Sequence, residues 1–351
     1  MHSGPAGPSC CGRCGGAETA ARIARRQRFR AAVFPRPGGE LSRPEGTGGN
    51  GPGGDGPPGL VRTVIGTLAD VSPRVLVIAS GDGERRLALA AGISIWRGGP
   101  AGATQLRPGE QVIARLAPGR RDVAAKVWAS IGRVAGTIAE QDSGRLVVDV
   151  GKTRKRQEVT ISPRAANRIQ VRFPRLGQGN LIDVIGLRRG TALEALMPAT
   201  SQPAYYAPTA ARRPAPARAP AGTFSGSATW HEPDEPGEEP TGLAYPSIDP
   251  AAGCAEAGQA GQARQAGRAH PAALPYLAVG STLFIRNECT GAGQVLPVTG
   301  CGAVARLFHD RCLTCGTSPR GRVADLTLAS FAELGGELER GCFNATIAVP
   351  P

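Results

Sequence analysis

The chain has 351 residues, of which 50 are Gly and 31 Pro, with a formal charge of +13 and an aromatic content of 4%. No stretch approaches the roughly 18 consecutive apolar residues of a membrane-spanning helix, which excludes an integral membrane protein of the helical kind. The charge is divided: residues 61–130 carry 10 basic and 5 acidic side chains and residues 131–200 carry 12 and 6, whereas residues 222–351 carry 8 and 13. A basic front half and an acidic back half point to a different partner for each.

Residues 1–60 hold 15 Gly and 8 Pro and no apolar period. So little apolar surface cannot offset the entropy of ordering the backbone, and the segment reads as a disordered Gly/Pro/Arg-rich tail. From Arg22 to Phe34 the charges are those of a signal-peptide start, but only Ala31-Ala32-Val33-Phe34 follow where about 7–15 apolar residues are needed. The given start is therefore at odds with export by that route.

An internal repeat with a period near 70 residues follows. Val64-Ile65-Gly66-Thr67-Leu68-Ala69 matches Val134-Ala135-Gly136-Thr137-Ile138-Ala139, and Arg74-Val75-Leu76-Val77 matches Arg145-Leu146-Val147-Val148. Leu106–Ile113 matches Leu176–Asp183 in the same order and at a similar offset. Short β-branched runs separated by Gly-rich turns predict two small antiparallel barrels, at 62–129 and 133–198. The pattern resembles the OB-like barrels that occur as tandem repeats in bacterial envelope proteins. Such a basic pair could bind nucleic acid by stacking bases on aromatics, but only Trp96, Trp128 and Phe173 are available, so nucleic acid is not the expected partner. Anionic polymers of a cell wall suit the same charge. The run Lys152-Thr153-Arg154-Lys155-Arg156 reads as a solvated hairpin tip, and residues 199–221, with five Pro, as an extended spacer.

The last segment, 222–351, holds Cys254, Cys289, Cys301, Cys312, Cys315 and Cys342, an even and dense set that reads as three disulfides formed in an oxidising compartment. Pairing Cys11-x-x-Cys14 with Cys312-x-x-Cys315 as a zinc site is disfavoured by a separation of some 300 residues. No metal or cofactor is expected. Strands are predicted at Ser281–Asn287 and Gly302–His309, and a short helix with Thr327 as N-cap, Leu328, Phe331 and Leu334 on one face, and Gly335-Gly336 as its stop.

The strings His309-Asp310-Arg311-Cys312-Leu313-Thr314-Cys315 and Arg322-Val323-Ala324-Asp325-Leu326-Thr327 resemble the double-psi β-barrel family of rare lipoprotein A, expansins and barwin-like proteins. Gly226-Ser227-Ala228-Thr229-Trp230 is similar to its opening strand, and His270, Leu274-Pro275 and Gly280-Ser281-Thr282-Leu283 to another. Cys312-Leu313 stands where rare lipoprotein A has Gly-Pro, and His231-Glu232 where Tyr-Gly is usual. The expected architecture is thus all-β: two OB-like barrels, then a six-stranded double-psi barrel.

The resemblance implies a secreted or envelope protein that binds peptidoglycan or another wall polysaccharide and, on the lytic reading, cleaves it as a transglycosylase. On the expansin-like reading it binds without cleaving. A basic adaptor that uses the barrels for nucleic acid or protein is the alternative from another class. The candidate catalytic residues are Asp310, Asp325 and His270, with Asp310 preferred as the acid. The candidate glycan contacts are Trp230, Tyr245, Tyr276 and Arg311.

Overall fold

The computed structural model describes residues 62–151, 156–200, 222–232, 241–246, 248, 274, 277–302, 304–308 and 310–349. The tail at 1–60, most of the 199–221 spacer, Lys152–Lys155, Cys254, His270, Tyr276 and His309 lie outside the described residues.

The first barrel comprises β1 (Thr63–Val71), β2 (Val75–Ser80), β3 (Gly83–Trp96), β4 (Pro100–Ala101), β5 (Gln111–Leu116) and β6 (Val123–Ala129). Its order is β2-β1-β5-β6-β3-β4, and a further β2–β3 pairing closes the ring. The second barrel comprises β7 (Ile131–Asp142), β8 (Arg145–Asp149), β9 (Arg156–Ile161), α1 (Pro163–Gln170), β10 (Leu181–Arg189) and β11 (Ala192–Pro198). It closes as β10-β11-β9-β8-β7. In each ring the third long strand runs parallel to the last, β3 with β6 and β9 with β11, so the repeat in sequence is a repeat in topology. Closure leaves no long free edge for another chain to pair with.

The repeat also explains its glycines. Gly66 and Gly136 sit where the first strand of each barrel bends across the second, ahead of the register shifts at Leu68/Asp70 and Ile138/Glu140. A Cβ at either would collide with a carbonyl oxygen, Ala79 O or Asp149 O. Helix α1 was not foreseen from the strand pattern; Ser162 precedes it, Pro163 opens it, and Ala165 and Ile169 fill the core of the second barrel.

The C-terminal barrel comprises β12 (Gly222–His231), β13 (Leu243–Tyr245), β14 (Thr282–Asn287), β15 (Gly293–Cys301), β16 (Arg322–Thr327), α2 (Leu328–Glu333) and β17 (Cys342–Val349). It closes as β12-β16-β13-β15-β14-β17, with β12–β16 and β13–β15 parallel. Strand β16 lies between β12 and β13, and β13 lies between β15 and β16. The ring is a closed six-stranded barrel with two parallel pairings, and the all-β class expected from the sequence holds throughout. Phe331 and Phe343 stack at 4.8 Å in its core.

Thr327 caps α2 as its sequence predicts, its hydroxyl accepting the Ser330 backbone N–H. The strand expected at Gly302–His309 is corrected: the strand is β15, one segment earlier, and Ala305–Leu307 forms a 3-10 turn. Leu296 and Val298 alternate into the core, and this sets the register of β15. Disulfides join Cys289 to Cys315 and Cys312 to Cys342, and Cys301 is disulfide-bonded as well.

The basic and acidic halves meet. Glu333, Glu337 and Glu339, on and after α2, face the first barrel: Thr63 donates to Glu333, Arg115 to Glu337 at 2.7 Å, Lys126 to Glu337 and, at 2.6 Å, to Glu339. The Trp128 indole N–H donates to Glu339 at 2.6 Å. Desolvation pushes the Glu339 carboxyl up, but the Lys126 and Trp128 hydrogen bonds outweigh it and leave it below the usual carboxylate range. Glu232 clamps the second barrel, accepting the Arg133 backbone N–H and the Arg188 guanidinium at 2.8 Å.

Between these contacts lies a buried charge cluster. Asp183 on β10 accepts Arg133 bidentately, at 2.8 and 2.7 Å, and also Arg322 of β16. Arg133 in turn donates to the carbonyls of Trp230 and Gly341, at 2.7 and 3.0 Å. Burial pushes the Asp183 carboxyl up, yet the attraction of Arg133 and Arg322 outweighs it and holds Asp183 below the usual carboxylate range. Because its folded pKa is depressed, its contribution to stability is present above the unfolded-state value of about 3.9 and is lost as pH falls through the folded value. Asp183→Asn leaves Arg133 without its buried carboxylate and Arg322 with Asp310 alone beside it, and is expected to destabilise the protein by roughly 3–5 kcal/mol at pH 7, with the deficit shrinking on acidification below about pH 4. Urea unfolding of both proteins across that pH range measures it.

Candidate functional site

Strands β12 and β16 run parallel and register Thr229 against Asp325 and His231 against Thr327. The Thr229 hydroxyl donates to Asp325 Oδ1 at 2.7 Å, and His231 Nδ1 lies 3.6 Å from Asp325 Oδ2. Asp325 and His231 border a cavity of about 60 Å³ whose opposite wall is the second barrel, through Arg133, Val150 and Gln157. Sites that enclose a sugar-sized ligand run to roughly 300 Å³ or more, so this one takes water-scale species. His231 and Thr229, which the sequence reading passed over, are the polar neighbours of Asp325; their signal was alternation along β12, which puts Thr229 and His231 on the face where Asp325 arrives.

Asp310 has a different fate. Its side chain is 2% exposed, and Arg322 Nε lies 3.5 Å from Oδ1. Neither Asp310 oxygen makes a hydrogen bond among the described residues. Arg322 also stacks over Phe308 at 3.9 Å. Its burial disfavours charge, but Asp183, Asp310 and Asp325 together outweigh that and raise its pKa. The two aspartates picked from sequence thus do converge, on a buried cation rather than on an open groove. A polymer cannot reach Asp310 in this arrangement.

The aromatic candidates are placed likewise. Trp230 is 1% exposed, its indole N–H donating to the Leu338 carbonyl at 3.0 Å, and Tyr245 is fully buried with its hydroxyl pKa pushed up by desolvation. Both are core side chains, a correction to their expected role as sugar platforms: each sits at an inward position of its strand. Arg311 is exposed on the loop after Asp310. Of the predicted disulfide set, Cys289, Cys301, Cys312, Cys315 and Cys342 are oxidised.

The outer face of β14, β15 and β17 carries what the sequence reading missed. Phe284 is 41% exposed and pairs across strands with Val295, itself 61% exposed. Gly293 makes room for the Phe284 ring, whose tip lies where a Cβ on Gly293 would be. On the other flank β17 sets Thr346 opposite Arg286, and Thr346 shares a 2.8 Å hydroxyl pair with Ser225. Ser225, Glu288, Asn344 and Thr346 line an open depression of about 420 Å³. Asn344 Oδ1 makes no hydrogen bond among the described residues. The only sequence signal was Phe284 at an outward position of an alternating strand.

No family model matches the chain, and no curated protein matches it. Among solved structures, a multidomain protein with nucleic acid binding domains from Streptococcus pneumoniae aligns with 11% identity over 43% of this chain, at a TM-score of 0.16. The chain spans 57% of that structure's length, and a score at that level carries no argument.

The burial of Asp310 makes it a structural group. Asp310→Asn is expected to destabilise the protein by roughly 1–3 kcal/mol, because Arg322 loses a buried counter-charge. Thermal unfolding of the variant checks this; an unchanged midpoint would contradict it.

Proposed function

We propose that the protein is an extracytoplasmic wall-associated protein whose C-terminal barrel binds glycan on its outer sheet face and does not cleave it. The observation that carries this reading is the Phe284 ring, 41% exposed and extending over Gly293, on the same barrel as a polar depression across the flanking strand β17. A pyranose presents an apolar C–H face and an equatorial rim of hydroxyls. The ring of Phe284 matches the first by dispersion and burial of apolar surface. The depression lined by Ser225, Asn344 and Thr346 matches the second through hydrogen bonds.

The disulfides support the compartment, since such bonds persist where the medium is oxidising. The case against cleavage is geometric: Asp310 is enclosed, and Asp325 faces a cavity too small for a sugar ring. A lytic activity would have to run through Asp325 after separation of the second barrel, because Asp325 is the one of the two that borders solvent-sized space.

Incubation with insoluble peptidoglycan tests the reading. The full chain is expected to be retained, and Phe284→Ala to weaken retention by about tenfold, close to 1.4 kcal/mol, with stability changed by no more than about 0.5 kcal/mol. Release of anhydro-sugar fragments by the wild-type protein, or equal retention of the variant, would contradict it.

A further inference from the structure

The two repeat barrels share a fold but not a surface. In the second barrel three arginines on the strands are matched by carboxylates: Arg145 pairs with Glu158, Arg156 with Glu140, both at 2.7 Å, and Arg189 with Glu194 at 3.2 Å, while the exposed Arg164, Arg168 and Arg175 lie on and after α1. In the first barrel the corresponding end carries Arg74, Arg86 and Arg121, all exposed, and none has a carboxylate partner among the described residues. The contrast is sharpest at one position. Arg86 faces outward opposite Val77 on β2, and the equivalent outward residue opposite Val147 on β8 is Glu158.

These arginines converge on one end of the first barrel. The Leu89 N–H donates to the Arg74 carbonyl and the Ala88 N–H to the Asp122 carbonyl, both at 2.8 Å, while the Arg85 guanidinium donates to the Arg121 carbonyl at 3.1 Å. Three separate segments, 72–75, 85–89 and 119–123, are thereby held side by side with their cations turned outward. Arg120 adjoins them, with Asp122 at 3.4 Å. Elsewhere in this barrel Arg97 pairs with Glu110, and Arg115 and Lys126 are used against Glu337 and Glu339.

We infer that this end of the first barrel is a binding face for a base-free polyphosphodiester, a linear polymer of phosphate-linked polyol or sugar units. Cations on three segments of an open surface match a polymer with repeated charges, and guanidinium forks match phosphate oxygens in pairs. Bases would add nothing, because Trp96, Trp128 and Phe173, the only aromatics of the two barrels, are all buried. Disulfides in the same chain place it where wall polymers, rather than nucleic acids, are the abundant polyanions. The inference concerns a different barrel from the glycan face and stands without it.

Binding of the full chain to poly(glycerol phosphate) as a function of salt is the test. Arg74→Gln, Arg86→Gln and Arg121→Gln combined should weaken binding at least about tenfold at low salt and lower the slope of log affinity against log salt by about 2. Arg145→Gln, Arg156→Gln and Arg189→Gln combined remove the same formal charge and should change affinity by less than about twofold, because each of those arginines is already paired. Equal losses in the two triple variants would overturn the inference in favour of net-charge attraction. No binding by the wild type, or tighter binding of duplex DNA of matched charge, would overturn it as well.

Discussion

A single buried carboxylate holds the molecule's arrangement together. Asp183 of the second barrel sits between Arg133 of its own barrel and Arg322 of the C-terminal barrel, and all three are withdrawn from water. Such a cluster contributes little net stability over an apolar contact of the same shape, because desolvating the ions costs about as much as their attraction returns. Its effect is on geometry. An apolar interface tolerates sliding; here, a small displacement of one barrel would strand a charge. The cluster therefore fixes which end of the C-terminal barrel the second barrel covers.

Several features follow from that constraint. Asp310 faces the same Arg322 and is sealed with it, and Asp325 is left beside a small cavity walled by the second barrel. The acidic loop after α2 is brought over the first barrel, where Glu337 and Glu339 meet Arg115 and Lys126. The basic and acidic halves, which the charge count suggests have separate partners, are in large part partners of one another. Among the cations that remain, Arg74, Arg86 and Arg121 lie together at one end of the first barrel.

The tandem barrels were legible because their repeat carries both hydrophobic alternation and the bend glycines Gly66 and Gly136, which are local requirements of each hairpin. Helix α2 was legible for the same reason: Thr327 and the apolar spacing after it are adjacent in sequence. The site was less so. Trp230 and Tyr245 are candidate glycan contacts by residue type, but residue type alone does not say which face of a strand is inside a barrel. Asp310 was read as catalytic because its counter-charge Arg322 is distant in sequence and is itself neutralised from another barrel. Asp183 did leave a trace: it interrupts the apolar run Leu181–Leu187, and its counterpart in the repeat is Ile113. A carboxylate in place of a core isoleucine announces a buried partner, though not which one.

Differential scanning calorimetry of the full chain tests the central claim, that the buried cluster makes the three barrels one cooperative body. The account predicts a single transition over the folded barrels, with calorimetric and van't Hoff enthalpies in agreement. Separate transitions for the basic pair and the C-terminal barrel in the wild-type protein at neutral pH would contradict it.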